Sequence, residues 1–143
     1  MRYASVRSLA VAGLALLACG DDGFSPTVET VAGDYQATTL TATQATATVN
    51  LLEAGGSLIL TLQVNGGTTG RLFIPGGGET GEDLDVDLTG SWTLTGSTVT
   101  FFQPGADTFI RDMTFTAGPN SIRGEETFPT TGGDITITVV LTK

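Results

Sequence analysis

Residues 83–94 read "DLDVDLTGSWTL". Leu84, Val86, Leu88, Trp92 and Leu94 fall on even positions, and Asp83, Asp85 and Asp87 on odd ones. Successive side chains of a β-strand point to opposite faces, so a period of two puts the apolar set on one face and the carboxylates on the other. The stretch predicts a strand with one buried and one wet side. Thr95-Gly96 follows as a tight hairpin signal, and Val99 to Phe102 resumes the pattern.

The same alternation runs outward in both directions. Tyr35, Ala37 and Thr39 form one row, and Ala45, Ala47, Val49 and Leu51 another. Leu58, Leu60, Leu62 and Val64 share a face. Arg71–Ile74 is a further short segment. Phe109, Met113 and Phe115 make the next row, Ile122–Phe128 follows, and Ile135, Ile137, Val139 and Leu141 make the last. Glycine (20 residues) supplies the breaks, and abundant threonine suits a pleated surface because its Cβ is branched. Short turns make sequence neighbours pair in space. Eight or nine strands in one antiparallel meander leave two bare edges, and closure into a barrel removes both. An all-β barrel of eight to ten strands over residues 33–143 is expected. An open β-sandwich or a barrel with more strands is the alternative.

The amino-terminal stretch has a different character. Arg2 and Arg7 precede the apolar run Leu9–Leu17, the layout of a secretory signal peptide over residues 1–18. The run is too short to span a membrane, which takes about 20 residues. It ends at Leu16-Leu17-Ala18-Cys19, with the sole cysteine of the chain. This tetrapeptide resembles the bacterial lipobox. The resemblance implies cleavage before Cys19 and acylation of its thiol. Two or more acyl chains anchor a protein stably, whereas one does so only marginally. Gly20 follows the cysteine where Asp would imply inner-membrane retention, so the resemblance points to the outer membrane. Residues 19–32 then form the lipidated cysteine and a flexible linker with an end-to-end distance of roughly 20 Å.

Gly33-Asp34-Tyr35 resembles the G-x-W signature of lipocalins, with Tyr for Trp, and "TGSWTLTGSTVTF" (89–101) is similar to the central hairpin of small lipocalin-like lipoproteins. The resemblance covers roughly 33–143. It implies a lipocalin-like barrel, with Tyr35 and Lys143 as the pair that closes its bottom.

Composition restricts the chemistry. After removal of 1–18, four basic side chains (Arg71, Arg111, Arg123, Lys143) stand against 15 acidic ones. Such a surface repels nucleic acid. Without histidine the chain lacks the commonest general base and metal ligand. No G-x-S-x-G elbow or nucleophile–base pair can be built. "GGGETG" (76–81) fits G-x-G-x-x-G, but a strand follows it where a dinucleotide site needs a helix. Asp83, Asp85 and Asp87 are spaced about 6.6 Å apart along a strand, which spreads them instead of converging them on a metal.

Neither enzyme activity, nor a cofactor, nor a metal site is therefore expected. The remaining candidates are inward-facing aromatics. Trp92, Phe101, Phe109, Phe115 and Phe128 would line a cavity for a small apolar ligand, with Arg111 at the mouth. The expectation is a monomeric, non-catalytic envelope lipoprotein held to the membrane by acyl chains on Cys19 and binding such a ligand. The alternative is a structural or interaction domain whose barrel is filled.

Overall fold

The alternation becomes ten antiparallel strands and two one-turn helices. The computed structural model describes residues 23–143. In chain order the elements are α1 (Val28–Val31), β1 (Gly33–Gln44), β2 (Ala47–Asn50), β3 (Ser57–Leu62), β4 (Gly67–Ile74), β5 (Leu84–Asp87), β6 (Gly90–Thr95), β7 (Thr98–Phe102), α2 (Phe109–Asp112), β8 (Thr114–Ala117), β9 (Ser121–Phe128) and β10 (Ile135–Thr142).

Neighbouring strands run β10-β9-β8-β7-β6-β4-β3-β1, and β1 pairs back onto β10 from Gln36↔Thr142 to Gln44↔Ile135. This is a closed eight-stranded antiparallel barrel of lipocalin-like architecture. Two extra strands lie beside it. β2 continues along β1 past the end of β3, and β5 runs along β4 past the end of β6. Closure gives each of the eight barrel strands a neighbour on both sides.

The hairpin that opens the pattern forms as the sequence implies. Gly96 and Ser97 join β6 to β7, and Gly96 takes φ 60°, the left-handed conformation a type II′ turn requires of its first residue. The segment 84–94 is nevertheless broken in two. It leaves the ladder at Leu88-Thr89, although Leu88 stays fully buried. The Leu88 amide still donates to Gly70 O (3.0 Å), while its carbonyl takes hydrogen bonds from the Thr68 hydroxyl (2.9 Å) and the Gln103 amide (3.0 Å). Two buried polar side chains thus replace the missing strand partner, as a buried carbonyl demands.

Three other expectations change. Ala45 belongs to no strand: β1 and β2 form a hairpin that turns at Ala45 (φ 53°), and Val49 is 52% exposed. β2 extends past the rim, where β3 no longer flanks β1. Val64 lies past the end of β3 and is 59% exposed. Phe109 sits in α2 and not in a strand row; only from Thr114 does the chain extend again. Ala106, Ile110 and Met113, which lie before, on and just after α2, are all buried.

The linker also shortens. Thr27 caps α1 through a reciprocal pair of bonds with Thr30, Val31 is fully buried, and Phe24 packs against the core. The chain is therefore held to the barrel from Phe24 onward. Residues 1–18 and Cys19 lie outside the described residues.

β1 leads away from α1, so α1, the turns 63–66, 96–97 and 118–120, and Lys143 gather at one end of the barrel. α2 and the loops 75–83 and 129–134 gather at the other.

Candidate functional site

The inward rows meet along the barrel axis. Phe101 and Phe115 pack edge to face, with ring centres 5.3 Å apart and planes at 74°, a preferred aromatic geometry. Both are buried, Phe115 at 1% exposure. Trp92 is 4% exposed, and its indole N–H donates to Gln63 O at 2.8 Å. Phe128 is half-buried at the far rim, opposite Ile135. Phe109 is half-buried on α2. The six sequence candidates therefore do not share one surface: three lie in the core, and the other three lie at the far end.

Arg111 is engaged locally. Its guanidinium donates to Asp112 (2.9 Å), to the Ala106 carbonyl (3.0 Å) and to Asp107 (3.2 Å). The hydrogen bond and charge of Asp112, then of Asp107, hold it further toward the charged form than an ordinary arginine. Asp112 is in turn held below the usual carboxylate range by its hydrogen bond to Arg111. Two carboxylates already neutralise the positive charge nearest the barrel mouth.

A ligand cavity would leave its lining side chains facing water-sized space. Instead Leu40, Leu58, Leu60, Leu62, Leu72, Val99, Ile122, Val139 and Leu141 are shut off almost completely. An eight-stranded interior is either filled by side chains or holds one small ligand, and here the closed inward rows occupy it. Each end is also stoppered: Val31 and Tyr35 sit beneath the near end, and Ala106, Ile110 and Met113 close the far end. Each buried leucine contributes about 1.5–3 kcal/mol. The interior polar groups are Thr68, Gln103 and Thr108, which the sequence reading missed. Their signal is faint, because Thr68 and Gln103 are buried in answer to the strand break at Leu88, a tertiary event.

Tyr35 and Lys143 come together at the near end. Lys143 Nζ lies 5.5 Å from the Tyr35 ring centre. It donates to the carbonyls of Thr30 and, at 3.1 Å, Ala32. The Tyr35 hydroxyl donates to Val31 O at 2.6 Å. Burial pushes the Tyr35 phenol up from its ordinary value. The last strand and the first are thereby joined to α1.

The three aspartates of the β4–β5 region are partnered one by one. Asp85 accepts from Arg71 Nε at 2.6 Å, and that bond holds it below the usual range. Asp83 accepts from the Gly76 amide (3.0 Å), and Asp87 from the Thr89 amide (2.8 Å). Among the described residues no three of His, Cys, Asp or Glu come together as metal ligands would.

A groove of about 690 Å³ lies on the outside of the barrel, across β10, β1, β3 and β4. Outward residues such as Gln36, Ile59, Thr69, Arg71 and Thr142 line it. Its charged groups are already committed: Asp34 accepts from the Thr61 hydroxyl (2.7 Å), and Arg71 holds Asp85. No family model matches the chain, and no curated protein or solved structure matches it significantly.

Proposed function

We propose that this protein is a lipid-anchored, non-catalytic module of the bacterial cell envelope, carried by the outer membrane, whose barrel is filled and which acts through its outer surface. The anchor rests on the lipobox-like Leu16-Leu17-Ala18-Cys19 behind an apolar run. The filled barrel rests on one observation, the near-complete closure of the inward rows with both ends stoppered. That closure favours a structural or interaction role over a ligand carrier, because a carrier's cavity must be open or able to open.

Two measurements test the reading. Cys19→Ser should move the protein from membranes to the soluble fraction, and the wild-type protein should carry the added mass of acyl chains at Cys19. Native mass spectrometry of residues 23–143 made in cells should show the bare polypeptide, and a hydrophobic dye should give no saturable binding. A stoichiometric co-purified lipid would return the barrel to ligand binding. Membrane association that survives Cys19→Ser would end the anchor.

A further inference from the structure

The barrel has two chemically unlike ends, and the chain's entry point selects between them. Phe24 is already packed on the core, and α1 follows at once at the near end. Only the steps from Cys19 to Phe24 separate an acylated cysteine from the folded body. Fully stretched, they reach about 18 Å. Because α1 lies at the near end, a tether that short keeps that end close to the lipid.

The charges divide the same way. The near-end turns, Gln63–Gly66, Gly96-Ser97 and Gly118–Asn120, contain no ionised side chain. Lys143 stands among them, and Val64 adds an exposed apolar side chain. Glu29 and Asp34 are the folded carboxylates nearby, with Asp21 and Asp22 in the tether. At the far end the loops carry Glu79, Glu82, Asp83, Asp107, Asp112 and Asp134 against one cation, Arg111, which is paired with Asp107 and Asp112. Anionic headgroups repel such loops within a Debye length, roughly 8 Å at physiological salt. The tether and the charge distribution are independent, and both turn the same end to the lipid.

We infer that the barrel stands end-on, with the α1 end resting on the headgroup surface and the acidic end directed away from it. This rests on acylation of Cys19. The near end is then a membrane-contact surface, and the face open to other molecules is the acidic rim around α2 and the loops 75–83 and 129–134.

The test uses the full acylated chain in vesicles of phosphatidylethanolamine and phosphatidylglycerol. Acylation consumes the Cys19 thiol, so Ser97→Cys at the near end and Thr131→Cys at the far end can each carry a single fluorophore. Both positions are exposed. Headgroup-spin-labelled lipid should quench the label at 97 at least threefold more than the label at 131. Equal quenching, or stronger quenching at 131, would overturn the orientation. The mass of Cys19 in the same samples separates the two ideas. An acylated protein with equal quenching refutes the orientation alone, and an unacylated protein refutes the anchor and the orientation together.

Discussion

Lys143, the final residue of the chain, holds its ammonium 5.5 Å from the ring centre of Tyr35, near the start of the first strand. The pair bridges the seam where β10 meets β1, and its hydrogen bonds to Thr30, Ala32 and Val31 tie α1 beneath it. The near end is thus stoppered by contacts that only a closed barrel can assemble.

Removing either member should loosen that end more than the whole fold. Tyr35→Phe leaves the ring in place but deprives the Val31 carbonyl of its donor, at a cost of about 1 kcal/mol. Lys143→Ala removes a partly exposed cation–π contact, worth about 0.5–1 kcal/mol, together with two hydrogen bonds to the α1 segment. Limited proteolysis should cut residues 23–32 faster in the Lys143 variant, while urea unfolding shifts only slightly. Unchanged cleavage would show that α1 is held by Val31 and Phe24 alone.

Tyr35 should also set an alkaline limit. In residues 23–143 it is the only tyrosine, since the other is Tyr3. Burial disfavours the phenolate and raises the folded pKa. The folded state therefore holds the proton more tightly than the unfolded one. The associated stability is whole below the ordinary tyrosine value, about 10, and is lost as pH climbs through the raised folded value. Phenolate absorbance should appear later in the native domain than in urea. Identical titrations would place the hydroxyl in water.

Trp92→Ala should cost about 3–5 kcal/mol, the range for a large aromatic removed from a core. The indole also donates to Gln63 O, which the alanine would leave short of a partner. The single tryptophan gives a second readout: native emission should be blue-shifted and resist acrylamide. Emission typical of free indole in water would contradict its place in the core.

Two small substitutions should act in opposite directions. A Cβ on Gly70 would run into the Ile59 carbonyl, so Gly70→Ala must part β3 from β4 and should cost about 1–3 kcal/mol. Ala45 holds φ 53° at the β1–β2 turn, a conformation that costs an L-residue about 1–2 kcal/mol. Ala45→Gly relieves that strain against some added chain entropy, for a net gain of roughly 0.5 kcal/mol. Thermal melting should fall for the first and rise for the second. A drop for Ala45→Gly would mean the methyl contributes packing that outweighs the strain.

Residues alone determined the class of fold and its inward rows. Leu58, Leu60, Leu62, Trp92, Phe115, Val139 and Leu141 are buried as their alternation implies, because a strand has only two faces and water selects between them. Gly96 was legible as a turn for a local reason, its freedom at positive φ. The charge division was equally present in the sequence, but its meaning waited on knowing which loops share an end. Tertiary structure alone decided the break at Leu88, where Thr68 and Gln103 must reach a carbonyl the ladder abandons. It decided that Val49 lies in water despite its apolar parity, because a strand beyond the rim has no core to face. It placed Phe109 on a helical turn, and it packed Phe101 against Phe115 inside the barrel. A sequence records which side of a strand is apolar. How much space that side encloses depends on which strands close the ring and what stoppers its ends, and both are settled by contacts between residues far apart in the chain.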